Sequence, residues 1–314
     1  MSLPPGPPLP AVLQTLLWIS RPIGFMDACR QRYGTMFTAH FTGLGASRNI
    51  VFVADPAGVR EVFAGDPGQL LAGRANVTLG AILGEHSLLL LDGAQHLRER
   101  KLMSPPFHGE RMRAYEATMQ RAPAQRVRAW QPGRELKLLP EMQRITLDVI
   151  VQAVFGFDDP MEQAYVRGLL QRMLALGSGS ARVAALAFAR VEAHGLTPWG
   201  KFCALKRQVD AALVQQIRRR RASAEQRDDV LTLLLASTDE QGVPLSDEDL
   251  CDELLTLLVA GHETTATAMA WALDLLLHHP AELAALQDSL AEGDSRRLDA
   301  VIKETLRLRP VVPI

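Results

Sequence analysis

Residues 246–280 read SDEDLCDELLTLLVAGHETTATAMAWALDLLLHHP, and how this stretch folds decides how the rest must be arranged. Ser246 followed by Asp247, Glu248 and Asp249 predicts a helix start. The hydroxyl caps the first free amides, the acids sit on the positive end of the dipole, and Asp249 holds the third position. Apolar periodicity then runs to His278, and Pro280 closes it. At about 1.5 Å per residue such a helix is roughly 50 Å long. That is enough to cross the body of a globular protein, so its middle is placed to face an internal site.

The middle reads VAGHETTATAMAW. Ala260 and Gly261 are small, and the glycine costs helix stability. Close packing of another helix explains them, and so does a large flat ligand lying on that face. Glu263, Thr264 and Thr265 put an acid and two hydroxyls into an otherwise apolar helix. A buried acid is costly unless it has partners or a chemical task. A helical threonine can also simply bond back to a carbonyl one turn earlier. A zinc-protease reading fails, because HExxH needs a second histidine where Ala266 stands.

Two further polar groups flank this helix in sequence. Downstream, a helix over 295–309 carries ETLR, which puts Glu304 and Arg307 within reach of each other on one face before Pro310 ends it. An exposed pair would suffice to explain them, but LRPVVPI turns the chain sharply and suggests a defined junction. Upstream, DGAQHLRERKLMSPPF at 92–107 places His96 and Arg100 four apart, with Asp92 expected to cap the helix. Histidine and arginine together can hold a carboxylate through charge-assisted bonds, or form surface salt bridges.

The rest of the pattern predicts mainly helix with a small β portion, an α+β chain. Helices are expected over 11–19, 22–33, 92–106, 110–129, 141–155, 159–175, 180–194 and 199–223. FTAHFTGLG (37–45) and NIVFVAD (49–55) read as strands, and Asp55-Pro56 opens the next turn or helix. Residues 1–10 form a proline-rich, extended lead-in. No repeat or second domain is evident, so residues 1–314 read as one domain.

The chain is 47% hydrophobic and 22% charged, with a formal net charge of -1. This balance is that of a folded globular chain, without the basic field that nucleic acid selects. RRRR at 218–221 falls at a predicted helix end, where the dipole and solvent account for it. Cys29, Cys203 and Cys251 form no CxxC pair and fit a reducing compartment. No basic segment precedes the N-terminal apolar run, which Gln14 and Thr15 interrupt, so it predicts neither a signal peptide nor a membrane span. A soluble cytoplasmic protein is expected, with a weak peripheral membrane contact of the N-terminus as the secondary expectation.

Taken in order, AGHETT at 260–265, ETLR at 304–307 with RP after it, DGAQHLRERKLMSPPF at 92–107 and LPPGPP at 3–8 resemble the cytochrome P450 family. The resemblance covers essentially all 314 residues. It implies a P450-like fold, haem b as cofactor, and insertion of one atom of dioxygen into an apolar organic substrate. Electrons would come from a ferredoxin- or flavodoxin-type donor with its NAD(P)H-dependent reductase. Ala260 and Gly261 look like the part of the central helix that lies over the haem. Glu263 and Thr264 look like the acid and alcohol that relay protons towards bound dioxygen. His96 and Arg100 look like partners of the haem propionates. Glu304 and Arg307 look like members of a structural ion-pair network near the proximal face. Ala81, Ile82, Leu83 and the leucines at 88–91 fall where a substrate-lining segment is expected.

The family's haem cysteine belongs to a glycine-containing loop after the ETLR helix, and the sequence ends seven residues after Arg307. None of the three cysteines lies in such a pattern, so no iron ligand is expected from this chain. The expectation is an incomplete P450-like domain from a longer protein, the alternative a truncated, non-catalytic remnant with weak haem or protein binding.

Overall fold

A computed structural model describes residues 3–42, 49–157, 159–177, 197–223 and 227–312. The chain is mainly α with one small antiparallel sheet among the described residues, the α+β class the sequence predicts. Its contacts separate two units: residues 1–103, 168–222 and 238–253 in the first, and 104–167, 223–237 and 254–314 in the second. The helix expected over 180–194 lies outside the described residues.

In the first unit, Met36–His40 (β1) and Asn49–Val53 (β2) pair antiparallel, with Phe37 opposite Phe52 and Ala39 opposite Ile50. Phe37, Ala39 and Phe41 pack with Phe25 and Cys29 of the helix Pro22–Tyr33. Thr38 belongs to the other side of the strand and is buried too, because the proline-rich lead-in crosses it. Its N–H donates to the Pro5 carbonyl at 3.0 Å, and a Cβ on Gly6 would collide with the Thr38 carbonyl. The helix Ala11–Ser20 is fastened to this strand by the two residues that interrupt its apolar run. Gln14 donates to the Leu9 carbonyl at 2.8 Å and accepts the His40 N–H at 2.9 Å. Thr15 accepts the Thr42 N–H at 3.0 Å, while Val12, Leu13, Leu16 and Leu17 are exposed.

Asp55 caps Pro56–Ala64 by accepting the Gly58 N–H at 2.7 Å. Asp92 behaves differently from expectation. Its carboxylate accepts the Gly73 and Arg74 N–H groups at 2.8 and 3.1 Å, so it serves the short helix Ala72–Ala75 and not its own. The residue at the N-cap of that short helix is Leu71, which has no polar side chain to offer. The arginine run ends Pro198–Ala222, but it is more than a solvated face. Arg220 is buried, and Arg221 pairs with Asp247 at 3.0 Å and donates to the Leu245 carbonyl.

The second unit is helical: Glu110–Arg128, Leu138–Phe155, Val230–Ala236, the greater part of Asp247–His278, Pro280–Ala291 and Arg296–Leu308. Met142 and Ile145 pack with Ala266, ringed by Trp130, Met269, Ala270 and Leu273. Asp148 takes Arg126 at 3.2 Å and Arg167 at 2.9 Å. Gly156 ends its helix in the left-handed region, φ 52°, where any side chain would be strained. Val230–Ala236 and Pro280–Ala291 were not anticipated. The first, VLTLLLA, is too short and too uniformly apolar to show a period. In the second, Pro280 both stops one helix and opens the next as its first residue.

Candidate functional site

Asp247–His278 is a single helix of 32 residues, and its start is built as the sequence predicts. Ser246 Oγ accepts the Asp249 N–H at 3.0 Å while Asp249 Oδ2 accepts the Ser246 N–H at 3.1 Å, a reciprocal cap.

Consecutive residues in its middle have different surroundings. His262 is buried, its Nδ1 2.8 Å from Thr146 Oγ1 on Leu138–Phe155, and the same hydroxyl lies 3.2 Å from the His262 carbonyl. Burial holds this imidazole below its usual pKa, with the neighbouring Glu263 carboxylate pulling the other way. His262 therefore joins two helices. Glu263 is 35% exposed, and its two oxygens accept from Gln143 Nε2 at 3.0 and 3.3 Å. Ala260 and Thr264 are both exposed, one turn apart, and Thr264 Oγ1 donates to the Ala260 carbonyl at 2.5 Å. The hydroxyl proton is thus committed, and the oxygen's lone pairs remain to accept. A Cβ on Gly261 would meet Ile150 Cδ1 at 3.2 Å, so close approach of Leu138–Phe155 is one reason for the missing side chain.

Glu304 and Arg307 form a two-pronged pair, Oε2 to Nε 2.7 Å and Oε1 to Nη2 2.6 Å, and both are exposed. The guanidinium holds the Glu304 carboxyl below its ordinary range. Glu304 also lines a groove of about 730 Å³, with Leu275, Leu276, Ala300, Val301 and Leu308. Arg309 lies over the Trp271 ring, 5.1 Å from its centroid.

In the first unit, His96 is half-buried and Arg100 exposed on Gly93–Met103. The buried acid of this helix is Glu99, which the sequence reading passed over. One of its oxygens takes Arg98, whose Nε also donates to Asp239 at 2.7 Å. Cys29 and Cys251 are buried, and burial raises both thiols, Cys251 to about 12. Neither is a thiolate near neutrality. Cys203 is half-buried on Pro198–Ala222.

Gln143, Thr146, Glu99 and Glu253 were missed as polar residues of consequence. Only Glu253 left a readable signal: with Leu250, Leu254 and Leu257 it occupies the apolar stripe of its helix.

The sequence pattern of the family described as cytochrome P450 matches residues 4–314. The chain belongs to the cytochrome P450 family. It is 40% identical over 320 residues to a Mycobacterium tuberculosis protein named as cytochrome P450 135B1, covering 99% of this chain and 66% of that one. The chain thus spans just under two thirds of the length of this relative. Among solved structures, retinoic-acid-bound cyanobacterial CYP120A1 superposes with a TM-score of 0.78 at 24% identity, over 98% of this chain and 70% of that chain. The cytochrome P450DA heme domain superposes with a TM-score of 0.72, also at 24% identity and over the same shares. At that identity the likeness shows the P450 fold. No helix among the described residues is long and apolar enough to cross a membrane.

Proposed function

We propose that residues 1–314 are the oxygen-side part of a single P450-type domain in a haem-thiolate monooxygenase, which inserts one atom of dioxygen into an apolar organic substrate. Haem b is the cofactor. A ferredoxin- or flavodoxin-type protein with an NAD(P)H-dependent reductase supplies electrons, and the protein works in the cytoplasm, with a weak membrane contact through the N-terminal helix.

One observation carries the reading: an acid and an alcohol stand next to each other at mid-helix, the acid steadied by a neutral amide and the alcohol exposed beside a small residue. Bound haem would supply dioxygen activation and electron transfer. Ala260 leaves room for a flat group against the helix. Thr264 presents its lone pairs on that same exposed face, where they can hold a water. Glu263 can take up and release a proton through solvent, since the Gln143 amide orients the carboxylate without neutralising its charge. His96 and Arg100 would take the propionates through charge-assisted bonds. Glu304 and Arg307 would support the proximal side. Cys29 and Cys251 do not fit the thiolate role. The family pattern puts that ligand after the E-x-x-R helix.

The test is a spectral titration of the haem-loaded longer protein that contains residues 1–314 with fatty acids, terpenoids, steroids and polyketides. Turnover of the best binder under isotopically labelled dioxygen follows. A product carrying one labelled atom is expected. A product with no labelled oxygen, or no spectral response to any class, contradicts the reading.

A further inference from the structure

The helix Ala11–Ser20 turns its polar residues inward and its apolar ones outward. On the inner side Gln14 is fully buried, its Nε2 donating to the Pro7 and Leu9 carbonyls at 3.2 and 2.8 Å. Thr15, also buried, donates to the Ala11 carbonyl at 2.8 Å and accepts the Thr42 N–H at 3.0 Å. Trp18 completes this side, its ring 5.2 Å from that of Phe41 and 5.5 Å from that of Phe52. The outer side carries Val12, Leu13, Leu16 and Leu17, each between 41% and 58% exposed. Spaced i, i+1, i+4 and i+5, they form one continuous stripe. Leu9 just before the helix and Ile23 just after it are exposed as well.

A single exposed leucine needs no explanation, but four on one stripe do. Rotating the helix cannot bury them, because Gln14 and Thr15 are bonded to the backbone of His40 and Thr42, at and just past the end of β1. The charge around the stripe is one-sided. Residues 1–54 hold four arginines, Arg21, Arg30, Arg32 and Arg48, against one acid, Asp27, in a chain whose formal net charge is -1. Arg21, at the end of the helix, and Arg30 and Arg32, on the next one, are exposed. A second copy docking through the same stripe would bring two sets of these arginines together, whereas anionic headgroups neutralise them.

We propose that Val12, Leu13, Leu16 and Leu17 enter the headgroup and acyl boundary of a bilayer rich in anionic lipid, with Arg21, Arg30 and Arg32 drawing its phosphates. The inference rests on the membrane contact in the reading above, for which it names the surface and the lipid chemistry. It is independent of the oxygen chemistry.

Flotation of the longer protein that contains residues 1–314 with lipid vesicles tests this. Wild type should float with vesicles of equal parts phosphatidylglycerol and phosphatidylcholine, less with phosphatidylcholine alone, and less in high salt. Replacing Val12 and Leu16 together by Ser should weaken partition by about tenfold or more, as expected for two apolar side chains withdrawn from the boundary. Arg21→Gln should weaken it by about fivefold on the anionic vesicles only. Met161→Ser, at another exposed apolar position, keeps the wild-type value. Should the double variant not fold, Leu16→Cys in a Cys203→Ser background decides: its thiol should react with a maleimide in solution and be shielded by the anionic vesicles. A thiol that is unreactive in solution shows that the protein's own chain covers the stripe, and the proposal fails. It fails too if the double variant floats like wild type, which leaves the membrane contact standing at another surface. A self-associated wild type that floats with neither vesicle and is dispersed by the double substitution makes a second copy the occupant. Absence of flotation on both vesicles removes the membrane contact altogether, while the labelled-dioxygen experiment still decides the monooxygenase reading.

Discussion

Glu253 and Glu263 lie ten residues apart on one helix and are handled in opposite ways. Glu253 is fully buried, its oxygens have no hydrogen-bond partner within normal geometry among the described residues, and burial pushes its carboxyl up to about 8. Glu263 is partly exposed and accepts from Gln143 at 3.0 Å. Desolvation without a partner disfavours the charged form of an acid, whereas partial exposure with a neutral donor leaves the carboxylate solvated. The same helix therefore carries one glutamate that burial holds protonated and one open to solvent.

The comparison is broken most directly by Glu253→Gln. Because the folded-state pKa is raised from 4.5 to about 8, the folded protein retains a proton that the unfolded chain loses. Wild-type stability should then decline by roughly 1.4 kcal/mol per pH unit across that window and level off above it. The variant lacks this slope, so denaturant titrations at the two ends of the window should find it more stable than wild type only at the alkaline end. Parallel pH profiles would show that Glu253 is not held neutral.

Thr146→Val addresses the residue beside Glu263. It removes the partner of the buried His262 Nδ1 and should cost about 1–3 kcal/mol in thermal or denaturant unfolding. The pH effect has the opposite sign from that of Glu253. The folded-state pKa of His262 is lowered, so stability is present above 6.5 and is lost as pH falls below it. A variant as stable as wild type would mean that water replaces the hydroxyl.

Gly261→Ala is smaller still. Alanine gains up to about 1 kcal/mol of helix propensity, offset by the contact with Ile150 Cδ1, the movable tip of a side chain. The net change should stay within about 1 kcal/mol, and in an Ile150→Val background the alanine should be stabilising. A cost that persists in that background would point to another reason for the glycine. Arg307→Ala should have the least effect, within the error of the same unfolding titration, because the Glu304 pair is solvent-exposed. A clear loss would show that the pair has partners beyond the other residue.

What could be read in the sequence follows the range of the interaction. The cap of Ser246 with Asp249 spans three residues and was legible, as was the start of a turn or helix at Asp55-Pro56. So were the two strands, most helices and the family motifs. The amide that holds Glu263 comes from 120 residues away, and nothing local announces it. Asp92 has the chemistry of a cap for its own helix, but a neighbouring helix without a polar cap takes its carboxylate. His262 looked like half of a metal motif and is a core residue bonded to Thr146. Glu253 could have been suspected from its place in an apolar stripe, but its lack of partners depends on residues 86–99, far away in sequence.

As proposed, residues 1–314 supply the oxygen-facing side of a P450 domain, and none of Cys29, Cys203 and Cys251, each held within a helix, ligates iron. The reduced carbon monoxide spectrum of this polypeptide, purified and mixed with haem, tests that most directly. No thiolate-type Soret band is expected. A stable thiolate-type band from residues 1–314 alone would contradict the account.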